Sequence, residues 1–419
     1  MRIGMILDKE FPPDERVENE ALILLEGGHE VYVLCYGYSR SQTKIENYRG
    51  FVIQRIPTSK GLIKRLRVFQ HPSLNLYKNF WERKVKKFVV HNHIDVLHIH
   101  DLYMVPSGIK ARRYIGIQVV VDLHENYPAA LKAYTWANTL TGRLIIRPQD
   151  WEDIEAVYFQ NVDRIIVLSQ YYRRQLLRKY TFLKDDDITV YPNVPCVKGL
   201  LNYKIRRVLD KEDNFTLLYF GVIARRRGIF TVFEALRILI QQGRQKIKLL
   251  LIGPIDTNEK KEFNKYLSDN TLKDQIIHYR WKDISEMPSY ITDSDVCLSP
   301  ILKNDQHESG IANKVFQYML FARPVIVSDC GPQKDLIETT GCGLVHKSDN
   351  AIDLAMKIQY LQDNPELRKT MGEKGRKAVL EIYNTEIQGK QLIELYKAIE
   401  HSKLQTNTVS GLIKKNISA

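Results

Sequence analysis

The most chemically suggestive stretch of this chain lies between His307 and Pro332. Ser309, Gly310, Ile311 and Ala312 form a small-residue loop that leads into a helical pattern from Asn313 to Phe321. Pro324 stops that helix, and Val325-Ile326-Val327 reads as a short buried strand. A loop opening a helix is an anion site, because unpaired backbone N–H groups and the helix dipole both point at the ligand. Lys314 sits in the first turn, where the dipole disfavours a cation. A bound phosphate would supply the reason for it. A second basic run, Arg225-Arg226-Arg227-Gly228, follows an apolar strand and opens another helix. It reads either as a further phosphate contact or as a solvated turn. His124 closes the strand pattern Gln118–Leu123, as a site group or as a hydrogen-bonded strand end. Asp101 and Glu125 each offer a carboxylate to a hydroxyl or base, or else cap the helix that follows.

These residues all fall in loops that follow predicted strands. In the first half the strands are Arg2–Leu7, Glu30–Cys35, Val52–Ile56, Val96–Ile99, Gln118–Val121, Arg164–Leu168 and Thr189–Tyr191, with a helix from about Asp14 to Leu25. In the second half they are Thr216–Phe220, Lys248–Ile252, Ile276–Tyr279, Val296–Ser299, Val325–Val327 and Gly343–Val345, with a helix from Ile229 to Gln242. Strand–helix alternation predicts an α/β protein of two Rossmann-like, doubly wound parallel sheets facing a central cleft. Residues 1–197 form the first domain, 198–213 a linker and 214–380 the second domain. Residues 381–400 are expected as a helix crossing back to the first domain, and 401–419 as a basic, disordered tail. His98 and His100 share one face of their strand under its two-residue period.

The chain has 419 residues, a formal charge of +13 and 44% hydrophobic residues, enough for two full cores. No apolar run is long enough to span a bilayer, and Met1-Arg2 leads directly into a strand, so a cytoplasmic protein is expected. The five cysteines lack metal-ligand spacing and read as reduced, mostly core thiols. Between Lys60 and Lys87 there are nine Lys or Arg and one acid, Glu82. Leu62, Leu66 and Phe69 recur at helical spacing among Lys60, Lys64, Arg65 and Arg67. That suits a helix on the anionic inner face of a membrane or on a lipid-phosphate acceptor, or else a solvated face over core. Leu74, Tyr77, Trp81, Val85 and Phe88 form a second stripe, read as core. The basic residues lack the interleaved aromatics of a stacking platform, which argues against nucleic acid.

With these motifs in order, the chain resembles the retaining glycosyltransferases of family 4, with the GT-B fold, over about residues 2 to 400. The resemblance rests on Pro12 to Val17, Gly28-His29-Glu30-Val31, His98-Ile99-His100-Asp101 and Asp122-Leu123-His124-Glu125. It continues through Asp163 to Ser169, Tyr191-Pro192-Asn193, Tyr219-Phe220-Gly221 to Gly228, and Asn313-Lys314-Val315-Phe316-Gln317-Tyr318-Met319. It implies a hexose or N-acetylhexosamine donor linked to UDP or GDP. The acceptor would be a glycan or lipid-linked saccharide of cell-surface polysaccharide synthesis, with no cofactor and no metal. His124, Arg227 and Glu308 are the implied catalytic residues. Gly221, Arg225, Arg226, Ser309, Gly310, Ile311, Ala312, Asn313, Lys314, Gln317, Tyr279 and Arg280 bind the donor, and Arg16, Asp101 and Glu125 the acceptor. An ion-paired Arg16 is the alternative for that residue. The family's two glutamates, eight positions apart, fall here on Ser309 and Gln317, with Glu308 one position early. A nucleotide-sugar 2-epimerase on the same fold and a decayed nucleotide-sugar-binding protein are the competing readings.

Overall fold

The structure, a computed structural model, describes residues 1–39, 42–68, 76–133, 147–209 and 214–417. Fourteen strands build two sheets among these residues. The first sheet contains β1 (Arg2–Glu10), β2 (Glu30–Gly37), β3 (Ile45–Tyr48), β4 (Phe51–Pro57), β5 (Val96–His100), β6 (Gln118–Asp122), β7 (Arg164–Val167) and β8 (Ile188–Val190). Their order is β3-β4-β2-β1-β5-β6-β7-β8, parallel except for the antiparallel β3–β4 pair. β3 escapes the sequence pattern because it is a four-residue edge strand with no buried side chain. The second sheet contains β9 (Phe215–Phe220), β10 (Ile247–Ile252), β11 (Ile276–Tyr279), β12 (Val296–Ser299), β13 (Val325–Ser328) and β14 (Gly343–His346). It is wholly parallel, in the order β11-β10-β9-β12-β13-β14. The inner strands are mostly apolar because helices cover both faces, with Asp8, His98, His100 and Asp122 among the buried exceptions.

In each sheet the strand order reverses once, between β1 and β5 in the first and between β9 and β12 in the second. Loops leaving the carboxyl ends diverge there and open a crevice where ligands of doubly wound sheets bind. His100, Asp101 and His124 follow β5 and β6, while Gly221–Gly228 and Pro300–Asn313 follow β9 and β12.

The chain divides into a first unit, Met1–Tyr191 with Gln388 onward, and a second unit, Pro192–Ile387. The expected linker is therefore corrected. Arg206 N donates to Ser289 Oγ at 3.0 Å, and Leu209 N to Asp293 Oδ2 at 3.0 Å, so this stretch is held on the second unit. Residues 210–213 lie outside the described residues. The last helix, Thr385–Ile417, buries Leu392, Tyr396 and Ile399 in the first unit's core beside Val17, Ala21 and Leu24. It also continues past His401, where disorder is expected, because no proline interrupts the backbone hydrogen-bond ladder.

Four cysteines are buried, Cys196 is half-buried, and all are free thiols. The helix Lys60–Val68 forms as expected, although Phe69 and Leu74 lie outside the described residues. Its apolar stripe is split: Leu62 is 47% exposed, whereas Ile63 is buried and Leu66 packs on the core. Arg67 turns back to Asp8, donating to its backbone oxygen at 2.6 Å and to Oδ2 at 2.7 Å. Tyr77, Trp81, Val85 and Phe88 are core. Among the described residues no helix is long and apolar enough to cross a membrane.

Candidate active site

The second unit carries a cationic site at its switch point. Gly228, at φ 74°, closes the basic turn so tightly that a Cβ would lie 1.7 Å from the Pro300 carbonyl oxygen. Only glycine permits this contact between the loops after β9 and β12. Leu302 N then donates to the Arg226 carbonyl at 3.0 Å and ties the loops together. The helix Asn313–Leu320 starts from Ala312 without a side-chain cap. It is anchored to β9 by Phe220 N donating to Tyr318 Oη at 2.9 Å. This places Lys314 Nζ 3.6 Å above the Tyr219 ring, next to Gly221. Burial and the Arg227 guanidinium push the Lys314 ammonium well below the usual lysine range. Among the described residues no carboxylate pairs with Lys314. An anion bound there would offset both costs.

Two buried polar atoms face the same need for a ligand. Gln317, in the helix, has a side-chain oxygen with no hydrogen-bond partner. His307 Nδ1 lies 2.6 Å from the Leu302 carbonyl, so it carries the proton, and its buried Nε2 is left without a partner. Burial lowers His307 to about 4; the Leu302 bond opposes this, and Arg227, Arg226 and Lys314 add to it. The imidazole is therefore neutral, with an acceptor lone pair. Sequence reasoning missed His307, because its role depends on the nonlocal cations around it.

Several expected donor contacts are placed differently. The Glu308 carboxylate is buried and accepts Gly331 N at 3.1 and 3.2 Å, at the start of the helix Gly331–Thr340. A carboxylate is favoured there by the helix dipole. The Ser309 hydroxyl donates to the Gln306 carbonyl at 2.6 Å. Arg225 pairs with Glu262 and lies over the Phe230 ring, which draws it away from Lys314. Arg226 and Arg227 are half-buried, and Gly310, Ile311, Ala312 and Asn313 form the half-buried entry to the helix. Tyr279 is half-buried under Lys282 Nζ at 4.6 Å, and Arg280 is exposed.

The first unit gathers a polar cluster at the ends of β5 and β6. Asp122 is fully buried. Arg16 grips it with two bonds, Nε to Oδ2 at 2.8 Å and Nη2 to Oδ1 at 2.6 Å. Arg16 also contacts Glu20 at 3.0 Å and donates to the Tyr191 carbonyl at 3.0 Å. Arg16 is thus a buried structural cation, and its assignment to an acceptor is corrected: two buried carboxylates claim its donors. His98 and His100 share the inward face, with rings stacked 4.7 Å apart. His98 reaches Glu20 at 3.2 Å and Tyr396 Oη at 2.8 Å.

His124 Nε2 lies 2.8 Å from Asp122 Oδ2 and 3.0 Å from His100 Nδ1. Its Nδ1 is 4.0 Å from Asp101 Oδ1. Burial would lower His124, but Asp101 and Asp122 outweigh it and hold the ring up to about 9. Burial lowers His100 to about 3, so His100 stays neutral. Burial would raise Asp122; Arg16, His124 and His100 hold it well below the carboxylate range. Asp101 stands at φ 72°, a strained value for a non-glycine residue, and its side chain makes no cap bond to the helix that follows. It instead meets Tyr103 Oη at 3.1 Å, which also lies 2.8 Å from the buried Asp8. Glu125 is half-buried, and Asn126 caps the next helix by accepting Ala129 N at 3.2 Å. Glu20, His98, His100 and Asp122 lie close enough to hold a metal ion. The Arg16 guanidinium already supplies positive charge to both carboxylates, which does not fit an added cation.

Two doubly wound parallel sheets, each with a switch point and one of them lined with cations, make up the GT-B architecture. Residues 203–378 match the family model for glycosyl transferases group 1, and residues 16–194 that for glycosyltransferase family 4. The chain belongs to the family 4 glycosyltransferases. It is 25% identical over 196 residues to CapM of Staphylococcus aureus, a capsular polysaccharide biosynthesis glycosyltransferase. That match covers 47% of this chain and 49% of CapM, so it spans about half of that relative. Among solved structures, sucrose-phosphate synthase of Thermosynechococcus elongatus superposes with a TM-score of 0.76 at 19% identity, covering 96% of this chain and 99% of that one. HepE of Anabaena in complex with UDP-glucose gives 0.70 at 12% identity, covering 95% and 100%. At these identities the structural likeness establishes the fold.

Proposed function

We propose that this protein moves a hexose or N-acetylhexosamine from a UDP- or GDP-linked donor to a glycan or lipid-linked acceptor, with retention of configuration. The observation that carries this reading is the half-buried Lys314 beside Arg227, with no carboxylate paired to Lys314 among the described residues, in the same helix as Gln317, whose side-chain oxygen has no partner among them. A nucleoside diphosphate satisfies all three: its phosphates take the cations, and a ribose hydroxyl can donate to Gln317. The UDP-glucose complex of HepE supports this ligand class, and CapM supports a polysaccharide acceptor.

In the reaction, the acceptor oxygen forms a bond to the anomeric carbon while the bond to the diphosphate oxygen breaks. The acceptor proton passes to the departing diphosphate on the same face. Lys314 and Arg227 take up the negative charge that grows on the leaving group, which stabilises the transition state more than the ground state. His124 and Asp101 hold the acceptor side. The test is the anomeric configuration of the product by NMR, using UDP- and GDP-sugars with saccharide acceptors. A retained glycoside is expected. A 2-epimer formed without acceptor, or an inverted product, overturns the reading.

The acceptor side extends to the membrane through the helix Lys60–Val68, where Lys60, Lys64 and Arg65 are exposed beside Leu62. Lys64→Ser with Arg65→Ser should weaken sedimentation with phosphatidylglycerol vesicles several-fold. Arg67 stays in place because it is bonded to Asp8. Unchanged sedimentation removes the membrane contact.

A further inference from the structure

We infer that Asp122, clamped by Arg16, is the positioning residue that fixes the ring orientation and proton location of His124. The inference rests on the proposed glycosyl transfer for its kinetic consequence, but not for its structural content. An ionised carboxylate can only accept, so His124 Nε2, 2.8 Å from Asp122 Oδ2, must carry a proton. That leaves Nδ1 as the atom turned toward Asp101. Which ring nitrogen meets a ligand is set by the bond the other one makes. Asp122 can play this part only if it cannot move. Two bonds from a planar guanidinium lock both of its oxygens, and burial keeps water from competing.

The clamp is itself held from behind. Arg16 also contacts Glu20, Glu20 contacts His98, and His98 meets Tyr396 Oη of the last helix. A continuous buried chain therefore runs from the C-terminal helix to His124. The ionisable groups facing His124 are Asp122, Asp101, His100, Arg16 and Asp14. Asp122 and His100 both lie in hydrogen-bond reach of Nε2, at 2.8 and 3.0 Å, and Asp122 is the charged acceptor of the two, held by Arg16 through both oxygens.

Asp122→Asn keeps the shape and removes the acceptor-only character. Its amide can face the ring with N–H, which forces His124 to put its proton on Nδ1. At neutral pH the parent ring carries a proton on both nitrogens; the full-length variant, with imidazole nitrogens labelled with nitrogen-15, should lose the Nε2 proton and keep the one on Nδ1. It should also show loss of the charged ring at neutral pH. Transfer should fall about a hundredfold or more in kcat, with little change in donor KM. Unchanged His124 signals overturn the inference, as does a kcat loss with Nε2 still protonated. If Asp122→Asn does not fold, Arg16→Lys keeps the charge and loses the two-bond clamp; shifted His124 signals are then expected, and wild-type signals again overturn the inference. A lost Nε2 proton together with full transfer by His124→Ala leaves the positioning intact and defeats the proposed function instead.

Discussion

Lys314→Met should lose glycosyl transfer by a factor of about 10²–10³ and yet be at least as heat-stable as the parent protein. The two halves of this result come from one arrangement. Lys314 is desolvated and sits beside Arg227, so its charge is held at a cost, and its position over the Tyr219 ring repays only part of it. Methionine fills similar space with no charge to desolvate, so the folded protein gains or breaks even. The bound diphosphate loses a cation placed where negative charge grows, and that loss appears in kcat/KM. Arg227→Ala should produce a loss of transfer of similar size. A lysine kept only for stability gives the opposite pattern, with a lower Tm and near-normal transfer. Measuring Tm and kcat/KM on the same preparation separates the two.

His124→Ala should reduce kcat by about 10²–10⁴ while the donor KM stays close to that of the parent, because the cations that hold the donor lie in the second unit. A pH signature accompanies it. The folded histidine is held at about 9 against an ordinary 6.5. Its protonation therefore adds stability that is complete below about pH 6.5 and is lost as the pH rises toward 9. The Tm deficit of His124→Gln should be largest below pH 6.5 and shrink toward pH 9. A deficit that is flat across that range shows that the two aspartates do not hold the ring charged.

Much of this arrangement was legible from residues close in sequence. Strand–helix alternation marked both sheets, since apolar runs of four to six residues between amphipathic helices have few other solutions. The cationic helix start was legible because loop, helix start and Lys314 are contiguous. The first unit's cluster was not. Glu20, His98, Asp122 and Tyr396 come from four elements, and no spacing rule links a helix near the start to one near the end. Arg16 looked like a ligand contact because its two carboxylate partners come together only in the fold. The partner of Glu308 was hidden for a related reason: it is Gly331 N, twenty-three positions on, at the start of another helix. The Gln317 substitution was visible; that its oxygen is buried without a partner required the structure.

The central claim is that the second unit binds a nucleotide-sugar through Lys314 and Arg227. The most direct test is thermal stabilisation of the full chain by a panel of UDP- and GDP-sugars, with Lys314→Met and Arg227→Ala alongside. Stabilisation grows with ligand concentration over affinity, so one donor should raise the Tm of the parent protein in a concentration-dependent way. The same donor should leave both variants unmoved. If no nucleotide-sugar shifts the parent protein, or if the variants shift as far as it does, the account is contradicted.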